Sequence, residues 1–296
     1  MEKINMSLDI EMFYLREISS YFKRNKTFRY KEIAKIIKKN LGLSFKKLLI
    51  LKPDEIINLI NSTPISFSDA DKKIMEDLYK NFRSSISSKN LLEKINLNVC
   101  PYCNRNFIFN FNKKDSKEAT AQLDHFFDKS TYPYLSISLY NLVPSCSTCN
   151  QRKSKKDSKE IFYPYKESFN QNAKFVYGGI KTNLDKQNID FFDEKRIKLD
   201  IKHISEETKV ENHNEVFNIK NLYENHKDIV KELLQKRVMY SDSYIDELFD
   251  KYSGTLFSSK EELMRLITCG YISDDDINKR PLSKLIKDIS EDLGFI

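Results

Sequence analysis

The sequence predicts a mostly helical α+β protein in which a short cysteine-rich segment is flanked by helical regions. Apolar residues recur at three- and four-residue spacing over much of the chain, which is the period of a helix with one buried face. Six glycines and no tryptophan in 296 residues are more typical of a helical than of an all-β composition. Hydrophobic residues make up 40% of the chain, enough for packed cores rather than disorder.

The first predicted region, residues 1–98, is helical. Residues 33–41 and 74–82 place isoleucine, leucine and phenylalanine at helical spacing, so each predicts an amphipathic helix. Pro53 fits the first turn of another helix, and Ser68 or Asp69 can cap the next one.

Basic charge is concentrated near the N-terminus. Residues 15–52 hold twelve Lys or Arg against two acidic residues, whereas residues 166–296 hold 21 basic and 25 acidic ones. Such a cluster is typical either of a surface that binds a polyanion or of an ordinary solvated helix face, and the sequence leaves both open. The aliphatic runs are far shorter than the roughly 20 residues that span a bilayer, and no secretory signal is evident. We therefore expect a cytoplasmic protein without a membrane segment.

Four of the five cysteines form two Cys-x-x-Cys pairs. Cys100 and Cys103 lie in CPYC, and Cys146 and Cys149 lie in CSTC. Each pair sets two thiolates on a tight turn, where both can reach one tetrahedral ion at about 2.3 Å. Without an export signal, this pattern favours structural zinc over unligated thiols or a redox pair. Cys269 is left over in an apolar setting, which predicts a small core residue.

A histidine and three oxygen-bearing side chains lie close to these pairs. Asp124 and His125 follow a strand-like AQL, so their side chains should leave an extended backbone on opposite sides. A carboxylate suits a hard cation, and an imidazole can accept a proton near neutral pH. Asn141 precedes the second cysteine pair and Asn150 follows it directly. Taken singly, Asp124, Asn141 and Asn150 are also common turn or helix caps, and a lone histidine is often structural.

In order, the elements CPYC, DH, NL and CSTCNQRK resemble the zinc-stapled branch of the HNH endonuclease family. The resemblance implies a ββα-metal module over residues 99–165. By motif position it implies that His125 is the general base and that Asn141 orients its ring. Asp124 and Asn150 would then hold a catalytic Mg²⁺ or Mn²⁺. Many relatives carry histidine where this chain has Asn150, a weaker, neutral ligand.

A basic run follows the second cysteine pair. It comprises Arg152, Lys153, Lys155 and Lys156. By the family motif Lys153 would approach a phosphate, and the other three are candidates for backbone contacts that carry no sequence information. A solvated helix end often has the same composition.

Two regions are expected after the module. Residues 166–210 predict a small β element, because KFVYGGIK reads as a strand that breaks at Gly178 and Gly179, and Ile197, Leu199 and Ile201 alternate with polar residues. Residues 211–296 return to helical spacing.

The resemblance implies metal-dependent hydrolysis of DNA phosphodiester bonds. Two alternatives remain: an RNA-cleaving nuclease, and a non-catalytic zinc-stapled module that binds nucleic acid or scaffolds a partner. The segments LYENHKD and KRPLSKLIKDI also look like the flanks of bacterial HNH proteins of anti-phage defence loci. That association implies a partner ATPase or another defence component.

Overall fold

The N-terminal region of the computed structural model consists of helices, as predicted. The structure describes residues 1–62, 67–114, 116–154, 160–179 and 194–296. Serines cap several helices through their hydroxyls, and Ser68 accepts from Asp71 N as expected. Another helix begins at Pro53, which confirms the prediction that this proline lies in a first helical turn. The helices are α1 Leu8–Arg24, α2 Tyr30–Leu41, α3 Phe45–Leu49, α4 Pro53–Ser62, α5 Asp69–Ser84 and α6 Ile86–Ile95.

Two antiparallel hairpins and a short helix follow. Strand β1 (Asn110–Lys113) pairs with β2 (Ser116–Ala119). Strand β3 (Gln122–His125) pairs with β4 (Leu142–Ser145), with His125 opposite Leu142. Helix α7 (Ser147–Lys153) begins directly after β4.

The remaining elements are one hairpin and a set of helices. The predicted β element is confirmed, because the strand Ala173–Gly178 pairs antiparallel with the strand Lys198–His203. The elements are α8 Phe169–Asn172, β5 Ala173–Gly178, β6 Lys198–His203, α9 Glu207–Phe217, α10 Ile219–Tyr223, α11 Lys227–Met239, α12 Asp242–Tyr252, α13 Lys260–Thr268 and α14 Ser283–Asp292.

The chain divides into two compact units. One comprises Lys3–Tyr102 and Phe107–Glu167, and the other comprises Met1–Glu2, Cys103–Asn106 and Ser168–Ile296. The predicted regions 1–98 and 99–165 thus fall mainly in the first unit, and 166–210 and 211–296 in the second.

Each unit has its own aromatic core. In the first unit the rings of Phe126 and Tyr163 stack at 4.1 Å, and in the second those of Phe175 and Tyr223 stack at 4.3 Å. Within the described residues, no helix is both long enough and apolar enough to cross a membrane.

Candidate functional site

The four paired cysteines form one buried cluster. Their sulfur atoms all lie within 4.8 Å of one another. Sulfurs bound to one zinc ion at 2.3 Å are separated by about 3.8 Å in a tetrahedron, so the cluster needs little contraction to hold zinc. Local structure explains the arrangement. CPYC forms a turn, and CSTC begins α7, where Cys149 N donates a hydrogen bond to Cys146 Sγ at 3.4 Å.

The fifth cysteine was predicted wrongly. Cys269 is exposed rather than buried in a core. It follows the last residue of α13 with φ of +62°, so its backbone leaves the helix and its side chain does not continue the buried face. The Lys236 ammonium lies 3.3 Å from its sulfur.

Asp124 lies in a buried polar environment. It is 4% exposed. The Tyr102 hydroxyl donates to its Oδ2 at 2.7 Å, and Lys153 Nζ lies 3.4 Å from the same oxygen. Burial raises the pKa of Asp124, and the neighbouring ammonium opposes that rise. The carboxylate therefore has one strongly engaged oxygen and a single buried cation beside it.

The ring of His125 has different partners, as expected for adjacent residues of a strand. Its Nε2 lies 2.9 Å from the carbonyl oxygen of Ser136, and its ring meets that of Tyr79 edge-on at 4.1 Å. A carbonyl oxygen can only accept, so Nε2 carries the proton of the neutral ring and Nδ1 is left with a lone pair. His125 is 8% exposed, and burial lowers its pKa to about 3, so the ring is neutral at pH 7.

Asn141 braces the loop between β3 and β4 rather than the histidine ring. Its Oδ1 accepts from Phe127 N at 2.7 Å, and its Nδ2 donates to the carbonyl oxygens of Phe127 and Leu135, both at 3.1 Å. The imidazole ring donates to the backbone carbonyl of Ser136. Asn141 braces the loop that carries this carbonyl, so the predicted role of orienting the imidazole would be exerted through the loop.

Asn150 lies over the same face of β3 as Asp124. Its Nδ2 donates to Gln122 Oε1 at 2.6 Å, and Gln122 and Asp124 share a strand face because they are two positions apart. Lys153, three residues along α7, lies beside Asp124 from the same side of the helix. The Asn150 amide oxygen is not used in the bond to Gln122.

Lys153 is not placed for the phosphate contact that the motif implies. Its side chain is fully buried, and Nζ donates to the carbonyl oxygen of His125 at 2.6 Å. The buried carboxylate of Asp124 attracts the ammonium inward, because neither charge is stable alone in a dry interior. Arg152 is half-buried. Lys155 and Lys156 lie outside the described residues.

Three contributors to the site carry no sequence signal of their own. Tyr102 binds Asp124, Tyr79 packs on His125 and donates to Leu123 O at 2.8 Å, and Ser136 acts through its backbone. The sequence does place Tyr102 between Cys100 and Cys103, so its backbone must lie beside the cysteine cluster.

Fold and site together define a mostly helical α+β protein with a buried four-cysteine cluster that could hold a zinc ion, next to a strand–strand–helix unit. No protein-family model matches the chain, and no solved structure matches it. A stretch of 70 residues is 39% identical to the Septu protein PtuB of Bacillus thuringiensis. That stretch covers 24% of this chain and 24% of the Septu protein, so the chain aligns with about a quarter of the relative's length.

Proposed function

We propose that this chain is a metal-dependent HNH endonuclease that hydrolyses DNA phosphodiester bonds, with His125 as the general base. The observation that carries the proposal is the hydrogen bond from His125 Nε2 to Ser136 O, at 2.9 Å. It leaves Nδ1 of a neutral ring as the proton acceptor, and because burial lowers the pKa of His125 to about 3, the proposed base needs the anionic phosphate beside it to raise that pKa when substrate binds. The strand–strand–helix order of β3, β4 and α7 beside the cysteine cluster supports the same family.

In the proposed reaction Nδ1 of His125 takes a proton from the attacking water. The imidazolium that forms is stabilised by Ser136 O, which accepts from Nε2–H, and by the anionic phosphate. General-base assistance of this kind contributes about 10² to 10⁴ in rate. In-line attack on phosphorus breaks its bond to the 3′ oxygen, which takes a proton from water, so the products carry 5′-phosphate and 3′-hydroxyl ends.

Asp124 and Asn150 are the proposed holders of the catalytic ion. Both lie over one face of β3, and a carboxylate with an amide oxygen is the hard donor set that Mg²⁺ or Mn²⁺ prefers. When bound, the ion supplies neutralisation of the charge that develops on the phosphate. Within the protein, the Lys153 ammonium favours the charged form of this carboxylate, against the burial that raises its pKa. Zinc on the four cysteines is structural, because a full thiolate shell leaves no open position.

Similarity to a Septu protein supports a role in anti-phage defence. We infer that the chain acts as one component of a multi-component system, beside a partner such as an ATPase. Arg152, Lys155 and Lys156 remain the proposed phosphate contacts.

Two observations favour a second candidate function. The Lys153 ammonium already occupies the neighbourhood of Asp124, and His125 is nearly buried. Both features suit a non-catalytic zinc-stapled module that binds nucleic acid or scaffolds a partner.

A plasmid assay separates the two. Purified protein is incubated with supercoiled plasmid and Mg²⁺ or Mn²⁺, with and without the partner encoded beside it, and a labelled RNA is tested in parallel. We expect nicking by wild type and by His203→Ala, a matched histidine control in the other unit, and at least a hundredfold loss in His125→Ala. DNA binding that is equal in all three proteins, with no cleavage of either substrate, would overturn the proposal in favour of the binding module.

A further inference from the structure

Three phenylalanines lie in a row on the exposed side of the first hairpin. Phe107, Phe109 and Phe111 are 49%, 44% and 49% exposed, whereas Ile108 between them is 1% exposed. Alternate residues of an extended chain share one face. The hairpin therefore buries its aliphatic residue and presents its aromatic ones to solvent, the reverse of the usual preference.

The backbone holds this row in extended form. Phe107 bridges to Val99, and Phe109 exchanges hydrogen bonds with Thr120 through its N and O atoms, both at 2.8 Å. Phe111 lies opposite Glu118 in the β1–β2 ladder. Phe111 thus lies on β1 itself, whereas Phe107 and Phe109 lie on the hydrogen-bonded segment that leads into it.

The spacing of the rings suits nucleic-acid bases. The rings of Phe107 and Phe109 stack at 4.6 Å with 24° between their planes. Alternate positions on a strand are about 6.7 Å apart, which is about twice the 3.4 Å rise between bases of a strand. The contact between Phe107 and Phe109 leaves no room for a base between these two rings, so a base fits on the outer face of the stacked pair.

The area of the row is too small for a stable protein interface. Half of three phenylalanine side chains amounts to about 300 Å², whereas a specific protein interface buries about 800 Å² on each partner. An unpaired nucleic-acid segment of two or three bases needs no more than this area. Lys114 follows the row at the hairpin turn and is exposed, and basic side chains near aromatic rings are typical of single-strand-binding surfaces.

We propose that Phe107, Phe109 and Phe111 form a stacking platform for the bases of an unpaired nucleic-acid segment. The proposal rests on the proposed function for its purpose: β2 continues through Thr120 into β3, which carries Asp124 and His125. The row and the candidate centre thus lie on two separate hairpins that follow one another directly in the chain.

Binding of a fluorescein-labelled 20-mer of thymidine or uridine tests the platform. Anisotropy is measured with the full-length His125→Ala chain, without added Mg²⁺ or Mn²⁺ and without chelator, so that cleavage is absent and zinc is retained. Phe109→Leu and Phe111→Leu keep the apolar character but lose the flat ring. Each is expected to raise Kd at least about fivefold for whichever 20-mer binds. Tyr244→Leu, an exposed aromatic in the other unit, is the matched control and should leave Kd unchanged.

A rescue variant makes the test specific to stacking. Phe109→Trp should keep the affinity, and because the chain has no tryptophan of its own, quenching of its fluorescence by the bound 20-mer reports contact with a base directly. Equal loss in Phe109→Leu and Phe109→Trp, or no quenching, would overturn the platform.

The two proposals fail separately. Plasmid cutting together with an unchanged Kd in both leucine variants would overturn the platform and leave the nuclease standing. A higher Kd in the leucine variants, without any plasmid cutting by wild type, would support the platform and overturn the nuclease. If the leucine variants instead turn a dimer into a monomer in light scattering while Kd stays the same, the row is a self-association surface and the platform is wrong.

Discussion

Replacing Lys153 with methionine should destabilise the protein strongly. Methionine fills a similar space but removes the ammonium that lies 3.4 Å from Asp124 and donates to His125 O. Asp124 is then left as a buried carboxylate with the Tyr102 hydroxyl as its remaining described partner. Removing one member of a buried ion pair costs about 3–5 kcal/mol, because the other charge stays uncompensated.

The measurement is urea unfolding followed by circular dichroism, in buffer with excess zinc. Arg152→Met, next on the same helix and half-buried, is the control and should change the free energy of unfolding by less than about 1 kcal/mol. In the double variant Asp124→Asn/Lys153→Met both charges are gone, so the loss should be smaller than in Lys153→Met alone.

The opposite result would restore the sequence-based interpretation of Lys153. A stability of Lys153→Met within about 1 kcal/mol of wild type, combined with weaker DNA binding, would show that the ammonium contacts phosphate. The burial argument would then be wrong.

Two further predictions concern metal content and pH. Purified protein should contain about one zinc per chain by atomic emission. The Cys149→Ser variant should lose this zinc and unfold more easily, whereas Cys269→Ser should keep it. Equal zinc content in both variants would contradict the four-cysteine site. Burial raises the pKa of Asp288 to about 6 from the usual 3.8, so the folded state holds this proton more tightly than the unfolded state. The free energy of unfolding should therefore fall by up to about 3 kcal/mol as pH rises from 4 to 6. Asp288→Asn should lack this slope, and identical pH profiles would refute the assignment.

The cysteine site was predictable from the sequence because its geometry is local. Two thiols three positions apart on a turn point toward one position in space. The prediction then required only one long-range contact, between the CPYC turn and the CSTC turn. Helix positions were equally accessible, since the three- and four-residue spacing over residues 33–41 is a local signal, and α2 covers it.

The environment of Asp124 was not predictable for the opposite reason. Lys153 belongs to a basic run that is typical of a solvated helix end, and its burial depends on a carboxylate 29 positions earlier in the chain. The carbonyl of Ser136 that meets the His125 ring was not predictable either, because a motif gives residue types and not which carbonyl a ring nitrogen meets.

The first hairpin shows a second limit. Alternation through Phe107, Phe109 and Phe111 is the signal of a half-buried strand, and burial preferences would place the rings inside. The structure places them outside. Alternation of apolar and polar residues indicates extended backbone but does not indicate which of its two faces packs against the core.

The sulfur of Cys146 has two duties, since it belongs to the cluster and also caps the first turn of α7. Serine at this position would keep the cap but lose a soft ligand, whereas alanine would lose both. The loss of helix between wild type and the serine variant therefore measures the contribution of the sulfur ligand. The further loss between the serine and alanine variants measures the contribution of the cap. Thiol oxidation, which removes both functions at one atom, should consequently unravel the segment that carries Asn150 before it disturbs the distant helices.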